Sequence, residues 1–295
     1  MKKFFAVIMF VAVLVFNFTC AAYAPDGRLF ITMLDVSQGD AFLIETPEQN
    51  ILIDTGDVKT RKQLVELLHA CGIERLEKII LTHAHADHIG GVRAVLNNFP
   101  VDEIADNGFK SNSPLYRDYR TADVKFSALQ DGDILDLGGG VKFIVLAPNK
   151  LFRFDNVNNQ SVVGKLIFGD FSMLFTADAE KQLEDLLCDR DIKATVLKAP
   201  HHGSKSSSSA DFIANVKPEF VFISAGKSNK FNHPHKQSLR TYRENFILPE
   251  NIFCTAFNGS VRLETDGTNK LIMPERATDW LEDYSGEIIS VVRLD

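Results

Sequence analysis

The stretch Ile79-Ile80-Leu81-Thr82-His83-Ala84-His85-Ala86-Asp87-His88-Ile89-Gly90-Gly91 constrains this chain more than any other. A short apolar run of the kind that forms a buried strand empties into three histidines and an aspartate. His83 and His85 are two apart, so on a chain leaving a strand in extended geometry their imidazoles project to the same side. Asp87 and His88 are adjacent, stand where a helix begins, and diverge from the first pair. This suits two neighbouring divalent cations, one on His83 and His85, the other on Asp87 and His88. Imidazole and carboxylate are ligands of zinc-like ions, and two such ions about 3.5–4 Å apart can activate water and clamp a phosphate or acyl oxygen. The plain alternative is a polar, histidine-rich loop, but hydrophobic strands rarely end this way.

Seven of the eight histidines fall into three clusters, His83/His85/His88, His201/His202 and His233/His235, which argues for one shared site. His69 stands alone on a helical pattern of Leu64, Leu67, Leu68 and Cys71 that Gly72 closes, where a surface histidine is ordinary. Strands are expected over residues 29–34 and 41–45, joined by the turn Ser37-Gln38-Gly39-Asp40, and over 51–53, ending at Asp54. After the strand at 79–81, Val92, Val95 and Leu96 mark a helix. Between 102 and 136 the signals weaken to a loop at 107–114 and a short helix at 116–121. The second half reads as strands at 141–146, 162–168, 173–176, 195–197 and 220–224. Its helices are marked by Leu183, Leu186 and Leu187 and by residues 237–246, with the serines at 206–209 as loop and helix cap. Residues 267–295 form an extension of unclear pattern, in which 288–294 is a candidate edge strand. No linker or tandem repeat divides the chain.

With 295 residues and 45% hydrophobic content the chain can bury one large core. Its net charge of −7 argues against an extensive basic surface that coats nucleic acid. A nucleic-acid substrate is still compatible, because two divalent ions would make the cleft itself positive. There is no basic stripe with interleaved aromatics, no phosphate-cradling glycine loop and no Gly-x-Ser-x-Gly elbow. Met1-Lys2-Lys3, an apolar run over 4–16 and small residues at its end read as a secretory leader over 1–24. That run is shorter than the ~20 residues a membrane span needs. The alternatives are an uncleaved anchor, or a lipid on Cys20, for which Asn17 and Thr19 are poor neighbours. Residues 25–295 are then exported (secreted, periplasmic or cell-surface) and carry no membrane span. Cys71, Cys188 and Cys254 are an odd number at wide spacings, read as small buried hydrophobes rather than a disulfide framework.

The histidine motif resembles the signature of the metallo-β-lactamase superfamily, His-x-His-x-Asp-His on the loop after a strand. Asp35-Val36-Ser37-Gln38-Gly39-Asp40-Ala41, Asn158-Asn159-Gln160-Ser161-Val162-Val163, Leu174-Phe175-Thr176-Ala177-Asp178-Ala179-Glu180 and Lys198-Ala199-Pro200-His201-His202-Gly203-Ser204 resemble one branch of it. That branch is the hydrolase domain of the competence DNA-uptake protein ComEC and its free-standing relatives, and the likeness runs over about residues 28–266. It implies an α/β fold, a four-layer αβ/βα sandwich. It also implies that Asp178 bridges two metals, against the plainer reading of a helix N-cap. His202 then ligates the second metal, His201 lies near substrate or behind the ligands, and Asp54 buttresses the metal loop. The candidate metal ligands are thus His83, His85, Asp87, His88, Asp178 and His202, with Asp87 and Asp178 as catalytic carboxylates.

One departure stands out. The superfamily's first metal takes a third histidine, yet no histidine lies between His88 and His201; Asn158, Asn159 and Ser161 stand there instead. An amide, hydroxyl or water would complete that shell, which would admit manganese as well as zinc. Ser204, Lys205, Lys227, Asn229, Lys230 and His233 are expected to form a phosphate-friendly rim, and Gln38 and Asp40 either face the site or merely form their turn.

The expectation is an exported hydrolase with two divalent ions, attacking through a hydroxide bridged between them. Its substrate is expected to be a phosphodiester, with DNA among the candidates. The alternatives are an esterase or lactonase acting on cell-surface or small-molecule esters, and a non-catalytic metal-binding or DNA-tethering module.

Overall fold

The computed structural model describes residues 27–149, 154–278 and 280–281. The leader expected over 1–24, the alternative lipid site at Cys20 and the edge strand expected over 288–294 lie outside the described residues.

The first half of the chain runs β1 (Leu29–Met33), β2 (Phe42–Glu45), β3 (Asn50–Ile53), α1 (Arg61–Ala70), β4 (Leu76–Leu81), α2 (Ala86–Ile89), α3 (Val92–Asn98), β5 (Val101–Asp106), α4 (Pro114–Tyr119) and β6 (Lys125–Ala128). The second half opens with β7 (Ile134–Asp136), β8 (Lys142–Ala147), β9 (Val163–Phe168), β10 (Phe171–Phe175), α5 (Lys181–Leu187), β11 (Val196–Lys198), α6 (Ala210–Val216), β12 (Phe220–Ile223) and α7 (Lys236–Glu244). It closes with β13 (Ile252–Cys254), α8 (Thr255–Asn258), β14 (Val261–Thr265) and β15 (Lys270–Pro274). One sheet has the order β15-β14-β1-β2-β3-β4-β5-β6 and the other β13-β12-β11-β10-β9-β8-β7. Both are mixed. Pairing switches from antiparallel to parallel at β3/β4 in the first and at β10/β11 in the second.

The inner faces of the two sheets meet in a core that includes Ile31, Phe42, Ile44, Ile80, Phe143, Met173, Phe175 and Phe222. The alternate residues of the same strands point outward: Leu43, Leu52 and Ile79 under α1 and α3, and Leu174, Val221 and Ile223 under α5, α6 and α7. A strand buried on both faces must be apolar at every position, which is why β2, β3 and β10 read as continuous runs. The result is the expected α/β sandwich, helices outside and two sheets within.

Several elements differ from the sequence expectation. β5 was not foreseen, because Asp102, Glu103 and Asp106 interrupt its apolar pattern. β6 and β7 are short and largely exposed, so they carry little pattern. β14 does alternate, with Val261, Leu263 and Thr265 buried, and it extends the first sheet beyond β1. β13 and β15 likewise lie past the last strand that periodicity marked. Among the described residues no helix is long and apolar enough to cross a membrane. Cys254 is buried, which pushes its thiol up to about 12, and all three described cysteines are free.

A side chain at Gly164 on β9 would place Cβ 2.1 Å from the Phe143 ring. That ring is 1% exposed and packs 6.0 Å from Phe175, so it has nowhere to swing. Gly164→Ala should therefore destabilise the fold by about 1–3 kcal/mol in chemical denaturation.

Candidate metal centre

The carboxyl ends of the central strands of both sheets open at one edge, where α/β proteins place their ligands. β4 delivers His83 and His85 from an extended segment, and α2 begins directly after His85, turning Asp87 and His88 in another direction. Backbone packing holds this turn close to the chain after β3. A Cβ on Gly90 would stand 2.3 Å from the Val58 amide nitrogen. From the second sheet, the segment after β10 supplies Asp178 and that after β11 supplies His201 and His202.

These loops converge. His83 Nε2 lies 3.0 Å from His85 Nδ1 and 3.8 Å from Asp178 Oδ2. His202 Nε2 lies 3.4 Å from Asp87 Oδ2 and 3.4 Å from Asp178 Oδ1, and His88 Nε2 is 3.2 Å from that same oxygen. Three groups have their ligand-type atoms within 4.8 Å of one another: the triads His83/His85/Asp178 and Asp87/His88/His202, and Asp40/His88/Asp178, which overlaps both. Asp178 turns one oxygen toward each of the two triads. His88 Nε2, His202 Nε2 and Asp178 Oδ1 are buried yet have no hydrogen-bond partner. They crowd one another at 3.2 and 3.4 Å without aligning as donor and acceptor, an arrangement in which a cation can take the place of the imidazole protons. Buried polar atoms are rarely left so. Histidine nitrogen and carboxylate oxygen are the donor set of zinc-like ions, and the residues present fit such ions.

Each ligand-type side chain is held from behind. Asp54 is fully buried; its Oδ1 accepts the Thr82 amide at 2.8 Å, and its Oδ2 accepts Thr82 Oγ1 and His88 Nδ1, both at 2.7 Å. His202 Nδ1 donates to the Ser224 carbonyl at 2.8 Å and lies 3.3 Å from Asp40 Oδ1, which also accepts the Ser224 hydroxyl. His83 Nδ1 sits between the hydroxyls of Thr82 and Ser161 at 3.1 and 3.4 Å. Ser161 thus meets His83 at Nδ1, the ring nitrogen opposite the one that faces His85. Asn159 accepts the Glu180 amide at 2.8 Å and is structural. Asn158 alone of the three faces the cavity. Its Nδ2 donates to Glu180 at 3.0 Å while its Oδ1, buried, has no partner.

Charge in the site is tightly paired. Burial opposes ionisation, yet the neighbouring His202 and His88 hold Asp178 well below the ordinary carboxylate range. Asp178 and Asp40 in turn outweigh burial and lift His202 to about 10. Burial and the charge on His88 push His83 well below its usual value. Burial and the neighbouring His202 and His201 bring His233 to about 3. The backbone is strained here too, with Asp54, Ala177, His201 and His202 at positive φ, a region that residues other than glycine enter when their surroundings compel it.

The sequence reading missed Lys198. Its ammonium, almost fully buried, donates to Asp40 Oδ2 at 2.5 Å and to the Ala177 carbonyl at 2.7 Å, and lies 4.0 Å from Asp178 Oδ1. A lysine closing the buried run Val196-Leu197 was the available signal, because a charge there needs a buried partner. Glu180 was also missed; it accepts from Asn156, Asn158 and Ser206 and lies 3.2 Å from His201 Nδ1.

The expected rim is corrected. A cavity of about 310 Å³ fronts the triads and includes Gln38, Asn158, His201 and His233 in its lining, but no lysine. Lys205, Lys227 and Lys230 sit on exposed loop positions, where ammonium groups keep their hydration. The Ser204 carbonyl accepts the Ser238 hydroxyl and its own hydroxyl pairs with Ser206, so Ser204 secures the loop. Asp40 is 2% exposed and lies behind His88 and His202 rather than in a plain turn.

Comparison with known proteins agrees with this picture. The family described as Metallo-beta-lactamase superfamily matches residues 34–226. ComE operon protein 3 of Bacillus subtilis is 32% identical over 273 residues, covering 84% of this chain and 34% of that protein. Competence protein ComA of Neisseria gonorrhoeae is 31% identical over 214 residues, covering 71% of this chain and 29% of that protein. The chain therefore spans about a third of the length of the curated relatives it matches. The metallo-beta-lactamase fold protein YhfI of Bacillus subtilis superposes with a TM-score of 0.55 at 13% identity, over 81% of this chain and 99% of that one, a likeness of fold alone.

Asp54→Ala leaves the Thr82 amide and His88 Nδ1 without their acceptor. It should weaken zinc binding about 10–100-fold in competition with a chromophoric chelator. Stability should fall by about 1–3 kcal/mol.

Proposed function

The chain belongs to the metallo-beta-lactamase superfamily, and on that premise we propose that it is a metal-dependent hydrolase of phosphodiester bonds. The observation that carries this reading is the convergence of buried, unpartnered His88 Nε2, His202 Nε2 and Asp178 Oδ1 beside the His83/His85 pair. His83, His85 and Asp178 would hold one divalent cation, with the free Asn158 carbonyl oxygen as a further donor. Asp87, His88 and His202 would hold the other, and Asp178 would be shared. Zinc suits the histidines, and the oxygen-rich first shell also suits manganese. The pair of cations would supply an activated water and positive charge against the transition state.

The chain's own groups do the rest. Asp54 and Asp40 orient His88 and His202 so that Nε2 of each is turned toward Asp178 Oδ1. Lys198 offsets the carboxylates of Asp40 and Asp178 with a buried charge. Substrate would enter beside Gln38, His201 and His233, whose side chains line the cavity. A phosphodiester is favoured over a carboxylic ester by the likeness to competence proteins. Export belongs to this proposal and rests on residues 1–24 alone, a basic start followed by an apolar run.

The test is elemental analysis together with hydrolysis of bis(p-nitrophenyl) phosphate and single-stranded DNA by the purified protein. Near two equivalents of metal and turnover of both substrates are expected. His85→Ala should abolish turnover, and chelation should do so reversibly. His69→Ala should leave it unchanged, because His69 lies on α1 with its ring against Phe99. Metal-loaded protein that leaves both substrates intact would sink the reading.

A further inference from the structure

Among the described residues that line the cavity before the triads, two are apolar, Ala86 and Phe231, and Phe231, 44% exposed, is the large one. The loop that carries it is built rigidly around Asn229. The Asn229 amide donates to the carbonyls of Gly226 and His233, at 2.8 and 2.7 Å, and its oxygen accepts the Phe231 and His233 amides, at 3.1 and 3.0 Å. The Phe231 ring lies 5.5 Å from His233 with 20° between the planes, and His233 lies 6.0 Å from His202 at 27°. A ladder of near-parallel rings thus runs from a ligand-type histidine out to the mouth. The Lys230 ammonium stands 4.7 Å from the Phe231 centroid, a hydrated cation that can give way. Fixing a phenyl ring in water beside a polar cavity leaves apolar area uncovered, and another planar ring is its natural cover.

We propose that Phe231 is a stacking platform for the base adjoining the phosphate at the triads, so that the substrate is an unpaired nucleic-acid strand. The inference rests on the reading above that the triads hydrolyse phosphodiesters. A cavity of about 310 Å³ is at the small end of ligand sites and takes one nucleotide. A base inside a duplex has both faces covered and cannot reach the ring without leaving its stack. Stacking reads the ring face rather than the base edge, so sequence preference is slight, and DNA and RNA strands both qualify.

The experiment uses the metal-loaded full chain on single-stranded DNA and RNA of mixed sequence. Phe231→Ala should raise KM about 10-fold with kcat nearly unchanged, and Phe231→Trp should restore it. On a strand with an abasic residue flanking the cleaved phosphate, wild type and Phe231→Ala should have equal KM. Binding is read separately, by quenching of 2-aminopurine fluorescence in a phosphorothioate strand. Quenching should persist with Phe231→Trp and vanish with Phe231→Ala. Equal KM for wild type and Phe231→Ala on the intact strand, unaltered quenching in Phe231→Ala, or equal turnover of duplex and single strand overturns the proposal. If quenching depends on Phe231 while no phosphodiester is cleaved, the hydrolase reading falls and the stacking site stands.

Discussion

Asp178 is the carboxylate on which the site depends. Its Oδ1 faces His88 and His202 and its Oδ2 faces His83, so among the described residues it joins the two triads. It follows β10 of the second sheet, whereas the histidine loop follows β4 of the first. Neither sheet holds a complete triad alone. The site therefore exists only when the two sheets stack with these strand ends on the same edge. The edge-on contact of Phe42 with Phe175, at 5.5 Å, joins the sheets just before Asp178 and makes that stacking part of the core.

Burying Asp40, Asp54, Asp178 and Lys198 together is unfavourable unless every charge is paired and hydrogen-bonded. Most of the groups are. Lys198 satisfies Asp40 and the Ala177 carbonyl, and Asp54 accepts from Thr82 and His88. At the triads, the atoms left over, His88 Nε2, His202 Nε2 and Asp178 Oδ1, lie together, so the unsatisfied polarity is concentrated where a cation can relieve it. The left-handed backbone at Asp54, Ala177, His201 and His202 shares that location, strain that the surrounding core sustains.

An acidic chain with no lysine in its cavity wall has little long-range attraction for a polyanion. On the proposed reading, local attraction would fall to the cations held at the triads and to the histidines, while the ring of Phe231 would contribute contact that does not depend on charge.

The His83–His88 stretch and the strands that carry it were legible from spacing, because side-chain direction over a few residues follows from covalent geometry, whereas the sandwich was read from the resemblance. Asp178, His202 and Asp54 were legible only by resemblance, and Lys198, Glu180 and Phe231 not at all, because each acts across long separations in sequence. β5 and β15 escaped because charged or exposed residues interrupt strands that their neighbours in the sheet complete, and β14, which does alternate, went unmarked at five residues. Local pattern determined which residues could turn together toward a ligand. Tertiary structure alone decided that they meet: the distance between two loops is set by the packing of two sheets, and no short segment encodes that distance.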